Sequence, residues 1–231
     1  MILILAQTGD YTTQQQLQAR VNVSQTTVNN DLKKLAAFLH QVNVKLTSKN
    51  YYGYKLTGTE LDIRRLLERI IAQQLNRKTL MAELVDCLNA LVEPKRALVL
   101  TSEPTFDHAF NTILKAAIQL GKQDQKMPDP SALITTMIRL AIGIVRQGIN
   151  QPVNSYHRIV EQGDSTTFTG QLILKALAFY NLPVWADDFA YYLGADGQKL
   201  TVAQNDNFVA MTHRIIPVSY THLTLPTNSR V

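Results

Sequence analysis

The chain has 231 residues, of which 45% are hydrophobic and 18% charged, with a net charge of +5 and a mean hydropathy of −0.08. Such a chain buries a core without a metal or disulfide staple, and its one cysteine, Cys87, excludes an intrachain disulfide and fits a reducing, cytoplasmic setting. Every apolar run falls short of the roughly 18 residues needed to span a bilayer, which argues against a membrane partner.

The opening stretch Met1–Ala6 is apolar, has no basic leader and meets Asp10 soon after. It reads as a short core helix over 2–7, cut short by the start of the chain and ended by Gly9, rather than as a signal peptide. Thr12 and Thr13 can each cap a second helix, with Gln15 and Gln16 three residues on as capping-box partners. That helix carries Leu17 and Val21 on one face. Asn22-Val23-Ser24 breaks the pattern, and Ser24 caps a third helix whose apolar stripe is Val28, Leu32, Leu35, Ala36 and Leu39. Residues 42–47 alternate and are β-branched, which predicts a strand. Ser48-Lys49-Asn50 makes a turn, residues 51–57 return as an aromatic-rich strand, and Gly58 closes the unit. For Tyr51, Tyr52 and Tyr54 the favoured role is packing of the sheet onto the helices.

From Glu60 the periodicity is helical almost throughout. Ile63, Leu66, Leu67, Ile70 and Ile71 form one stripe, and Leu80, Leu84, Leu88 and Leu91 form another. Cys87 lies in that second helix and reads as a small buried hydrophobe. Pro94 and residues 101–104 are breaks. A new amphipathic helix starts with Phe106, Phe110, Ile113, Leu114 and Ala117. A loop over 121–130 precedes a strong helix through Leu133, Met137, Leu140, Ala141 and Ile144 that ends near Gly148. Residues 149–165 are irregular, and helices fit 166–181 and 185–194.

Charge is unevenly spread. Residues 1–57 hold Arg20, Lys33, Lys34, Lys45, Lys49 and Lys55 against Asp10 and Asp31, a net of +4 in a quarter of the chain. A concentrated positive field suits a polyanion. The order helix, helix, tight turn, helix, hairpin is the winged helix-turn-helix plan, in which the helix after the turn enters the major groove of DNA. Ser24, Gln25, Thr26, Thr27, Asn29 and Asn30 offer hydroxyls and amides suited to base edges, and the helix N-terminus favours a phosphate. Arg20, Lys33, Lys34 and Lys49 suit phosphates, and Lys49 with Asn50 at the hairpin tip suits an adjacent backbone or minor groove. Four phosphate contacts per protomer predict a log–log salt slope near about −3.6 per protomer.

At this point the chain resembles a known family. Residues 23–32, VSQTTVNNDL, are similar to the recognition segment VS-x-x-T-(V/I)-x-x-D-(L/I) of BglG/LicR/Mga-type transcription regulators. Residues 53–60, GYKLTGTE, followed by Arg64, resemble the GY-x-L-x-G-x-E…R hinge that ends their winged domain. The resemblance implies that a PTS regulation domain, a five-helix bundle sensing sugar uptake, comes next. Residues 139–146, RLAIGIVR, resemble its H-L-A-I-x-x-x-R helix, and residues 187–193, DDFAYYL, resemble its late E-(I/F)-x-Y-(L/I) helix. In that family phosphocarrier proteins phosphorylate histidines of the domain. Here the first expected histidine aligns with Arg139 and the second falls near Ala195 or Asp196. A guanidinium stays protonated and is a poor nucleophile, so the expectation is a domain not switched by phosphorylation at those positions.

The predicted fold is mainly α: a winged helix-turn-helix with a small β-hairpin wing over 1–58, a helical connector over 59–103, and an all-α regulatory bundle over 104–200. Residues 201–231 read as the truncated start of a further domain plus a non-native tail, because 217–231 resemble a translated sequencing-adapter sequence. His40, His108, His157, His213 and His222 are scattered, so no metal site is expected, and His157 is the one histidine kept as a functional candidate. No phosphate-cradling glycine loop, nucleophile elbow or Cys/His pair is present, so neither an enzyme nor a cofactor is expected. The expected function is a DNA-binding activator of a carbohydrate operon, acting as a homodimer on double-stranded DNA with phosphocarrier proteins as further partners. The alternatives are a protein-interaction or phosphorelay module, and an RNA-binding antiterminator.

Overall fold

A computed structural model describes residues 1–75, 78–123, 126–153 and 166–194. The N-terminal unit runs α1 (Ile2–Thr8), α2 (Gln14–Val21), α3 (Gln25–Leu39), β1 (Lys45–Lys49) and β2 (Gly53–Thr57). Its helix ends are set by local chemistry. α1 stops at Gly9, which takes a left-handed conformation at φ 62°. α2 starts with a full capping box: Thr13 Oγ1 accepts from the Gln16 amide at 3.2 Å, and Gln16 Oε1 accepts from the Thr13 amide at 2.8 Å. Asn22, left-handed at φ 55°, ends α2, and Ser24 caps α3 through the Thr27 amide at 3.2 Å. The turn between the two helices is therefore Asn22-Val23-Ser24.

The hairpin pairs β1 with β2 antiparallel, from Lys45 opposite Thr57 to Lys49 opposite Gly53. Both strands are displaced from the expected 42–47 and 51–57, because Asn43 turns the chain at φ 55° and residues 50–52 form the tip. Tyr54 also bridges Thr12, exchanging both backbone hydrogen bonds at 2.8 and 2.9 Å, so the α1–α2 link lies along the wing like a third strand. Only glycine fits at position 53: φ is +104° and an added Cβ would lie 2.1 Å from the Thr12 carbonyl oxygen. Tyr54 is half-buried against the core as predicted, whereas Tyr51 and Tyr52 are exposed.

The rest of the described chain is helical: α4 (Glu60–Leu75), α5 (Lys78–Ala90), α6 (Pro104–Gly121), α7 (Pro130–Gly148), α8 (Phe168–Phe179) and α9 (Ala186–Leu193). α7 is the axis. Residues 137–147 are buried without interruption, and the helix contacts α1, α4, α5, α6, α8 and α9. A helix enclosed on all sides has no polar face to keep wet, which explains the near-continuous apolar run. Each fully buried Leu or Ile there contributes about 1.5–3 kcal/mol. α9 seats against it where Gly143 leaves space: a Cβ at 143 would lie 2.2 Å from the Tyr192 ring.

α4 buries Ile63, Leu66, Leu67, Ile70 and Ile71 and packs against both α1 and α7, so one continuous core runs through both halves. Between α5 and α6, residues 91–103 form an irregular link with no helix or strand. Asn111 of α6 brackets Leu98, donating to its carbonyl and accepting from its amide at 2.8 Å each. Asp107 accepts from the Leu100 and Thr101 amides at 3.0 and 2.9 Å. These clamps deliver Glu103 to the N-terminal unit.

Candidate nucleic-acid interface

On α3 the apolar positions Val28, Leu32, Leu35 and Leu39 are buried. Helical geometry puts Thr26, Asn30 and Lys33 on the opposite side, and these three are exposed, as are Gln25 and Lys34. Nothing in the described chain covers this ridge. Ser24 and Thr27 stand at its N-terminal end with their hydroxyls 2.9 Å apart, engaged in the cap yet open to solvent. Asn29 is half-buried, and its Oδ1 accepts from Gln14 Nε2 at 2.7 Å. That bond orients the Asn29 amide and ties the start of α2 to the ridge; Gln14 gave no signal in sequence because its partner lies 15 residues away. No described carboxylate lies within ion-pair distance of Lys33 or Lys34.

The wing stands beside this ridge, since α3 contacts β1. Its tip is Asn50-Tyr51-Tyr52, with Lys49 just before it, and all four side chains are exposed. Lys49 Nζ lies 4.1 Å from the centre of the Tyr52 ring, and that ring lies 6.2 Å from Tyr11. The tip therefore offers a cation, an amide and an aromatic ring together.

Arg20 stands apart from the other candidate phosphate ligands. Its Nη2 donates to Glu103 Oε2 at 2.6 Å and to Gln7 Oε1 at 2.8 Å, and its side chain is 39% exposed while that of Glu103 is 5% exposed. Arg20 thus joins α2 to the α5–α6 link, a contact that sequence spacing could not show.

Behind the winged unit lies a second, buried set of charges. Glu60 Oε1 accepts from Arg64 Nε at 2.9 Å and from Arg146 Nε at 2.8 Å, and Glu60 Oε2 accepts from Arg146 Nη2 at 2.5 Å. Arg146 also donates to the carbonyl of Ala6, near the end of α1. Arg64 reaches Asp188 at 2.7 Å and the Gln151 carbonyl at 3.0 Å. Asp188 accepts from Gln147 at 2.8 Å and from the Val153 amide at 3.0 Å. Burial disfavours charge on Arg64, but Tyr192, Asp188 and Glu60 outweigh it and hold the guanidinium above its ordinary pKa. Burial pushes the Tyr191 and Tyr192 hydroxyls up, so both stay protonated. The two segments singled out in the bundle, 139–146 and 187–193, thus face each other across this network.

Arg139 is buried and donates to Glu68 Oε1 at 2.7 Å. Its Nη1 occupies the space beside Gly194, 2.3 Å from where a Cβ would stand. The position is filled by an ion pair between α7 and α4, with no open side chain there. Cys87 is half-buried rather than enclosed, and burial with Glu83 and Asp86 pushes its thiol up. His40 is exposed at the end of α3, and exposed His108 lies 3.0 Å from the Tyr180 hydroxyl. His157, His213, His222, Ala195, Asp196 and the tail lie outside the described residues. Among those residues no helix is long and apolar enough to cross a membrane.

Comparison with known proteins agrees with this geometry at the N-terminal end. No curated protein and no solved structure matches the chain. The family model described as the Mga helix-turn-helix domain matches residues 2–70, which places the three helices, the hairpin and most of α4 in a helix-turn-helix domain of a regulatory, DNA-binding type.

Proposed function

We propose that this chain is a transcription regulator that binds operator DNA through α3 and the wing and activates a carbohydrate operon, with the helical half as its sensing module. The observation that carries the proposal is the exposure of the polar ridge Gln25, Thr26, Asn30, Lys33 and Lys34 beside a wing tipped by Lys49. In a major groove, Gln25, Thr26 and Asn30 read base edges while the lysines neutralise phosphates. Binding as a homodimer would place two such ridges about one helical turn of DNA apart. The carbohydrate assignment rests on the likeness of 139–146 and 187–193 to a PTS regulation domain, whose partners are phosphocarrier proteins. With Arg139 paired to Glu68, a phosphocarrier would act by docking rather than by transferring phosphate to that position.

The test is a gel-shift titration with the DNA upstream of the gene, at about 50 and 200 mM salt. Lys33, Lys34 and Lys49 give three phosphate contacts per protomer, so the expected log–log slope is about −2.7, shallower than the four-contact value because Arg20 is engaged by Glu103. Salt-insensitive binding, or none, would sink the proposal.

A further inference from the structure

We infer that Tyr51 is a groove-contacting residue that gives the wing a salt-insensitive hold on duplex DNA, in the minor groove next to the site that α3 reads. The inference rests on the DNA-binding reading above and adds to it a residue and a kind of contact that charge alone does not supply.

Three observations converge. Tyr51 is fully exposed, at 102%, so its ring contributes no burial to the fold. Its backbone is left-handed, at φ 67°, where a bulky residue is disfavoured and Gly or Asn is the ordinary choice. The turn thus holds a costly residue whose side chain has no role in packing. Backbone strain of this kind persists where the surroundings impose it, and it concentrates at ligand-contacting sites.

The surroundings here are a braced hairpin. Tyr52 N donates to the Lys49 carbonyl at 3.1 Å and closes the turn. Tyr52 in turn meets the Lys49 ammonium, 4.1 Å from its ring centre, and the tilted ring of Tyr11, 6.2 Å away. Tyr54 is bridged to Thr12 directly behind, and Gly53 lies close against the same backbone. The tip is therefore fixed, and it points the Tyr51 ring away from the molecule.

When a helix such as α3 lies in a major groove, a hairpin packed on its flank meets the adjacent backbone and minor groove. That groove is walled by deoxyriboses, which suit an aromatic face, while Lys49 sits at the negative rim. An aromatic contact of this sort releases no counterions, so its share of the affinity does not change with salt, unlike that of a lysine.

The experiment uses the full chain and a fluorescein-labelled, mixed-sequence duplex of roughly 30 base pairs, long enough for two half-sites. Anisotropy titrations compare wild type, Tyr51→Gly, Tyr51→Phe and Lys49→Ala at about 50 and 200 mM salt. Tyr51→Gly is expected to weaken binding about 5- to 10-fold, by the same factor at both salts, while raising the melting temperature because the turn strain is relieved. Tyr51→Phe is expected to bind within about twofold of wild type, and Lys49→Ala to lose more at low salt than at high salt. Netropsin, which fills the minor groove, should erase the difference between wild type and Tyr51→Gly. Wild-type affinity in Tyr51→Gly, or a loss that shrinks as salt rises, overturns the inference while leaving α3 as the reader. A wild-type chain that does not bind the duplex overturns both readings.

Discussion

The cations of the winged front and those of the junction behind it live under opposite physical regimes. Lys33 and Lys34 stand in water with no described carboxylate to meet them, whereas Arg64 and Arg146 are buried among Glu60, Asp188 and backbone carbonyls. A charge in water costs the fold nothing and can be lent to a ligand. A buried charge is tolerable only when every partner is held in place, so it fixes geometry instead. Position, not residue type, separates the groups open to a ligand from the groups that hold the halves together.

The comparison breaks most sharply at Asp188. Asp188→Ala leaves the Arg64 guanidinium buried with one acid fewer, and it should cost about 3–5 kcal/mol in urea denaturation. A loss below about 1 kcal/mol would mean that the junction is wetter than the structure shows. Next in size is Asn30→Ala, which should leave stability within about 0.5 kcal/mol of wild type yet relax sequence preference by about 1–3 kcal/mol at the base it faces. Selection from a random duplex library before and after the change measures this; an unchanged preference would remove Asn30 from the reading face. Lys34→Ala should lower affinity evenly across sequences and flatten the salt slope by about 1, again without destabilising the fold.

Glu103→Gln sharpens the border between the two regimes, because Arg20 is the candidate phosphate ligand that the bundle holds. With Arg20 more than a third exposed, the pair contributes less than about 1 kcal/mol to stability. Its release should instead steepen the salt slope of DNA binding by about 0.9 per protomer. An unchanged slope would show that Arg20 faces away from the duplex.

The smallest effect concerns Asp107. Burial raises its pKa despite the hydrogen bonds from Leu100 and Thr101 that pull the other way, and nearby Glu103 adds to the rise. A carboxyl whose folded pKa is raised binds its proton more tightly when folded, so its ionisation weakens the fold above that pKa. Asn keeps the oxygen that accepts those bonds and drops the charge. Asp107→Asn should therefore melt slightly higher than wild type at neutral pH, with the gap closing as pH falls towards 4 and the native carboxyl takes up its proton.

What the sequence disclosed was local. Thr13 and Ser24 announce helix starts because a cap and its amide lie three residues apart, and the stripe through Val28, Leu32 and Leu35 needs only the helical period. The ridge was legible for the same reason. The junction was not, because Arg139 meets Glu68 across 71 residues and Arg146 meets Ala6 across 140. Charged residues on helices usually face solvent, so spacing alone gave Arg64 no reason to be buried. Tyr51 and Tyr52 depart from the packing role expected of them for a third reason. Aromatic residues favour strands, and that preference says nothing about a residue that sits on the bend between them.

Arg146 gathers Glu60 with one edge of its guanidinium and the Ala6 carbonyl with the other. It grips the first residue of α4 and the end of α1 in a single planar hand. A planar group with fixed bond directions has no graded intermediate: should α7 slide by one turn, both holds are lost at once. The winged head is consequently latched rather than sprung: a displacement of α7 would free it all at once instead of by degrees.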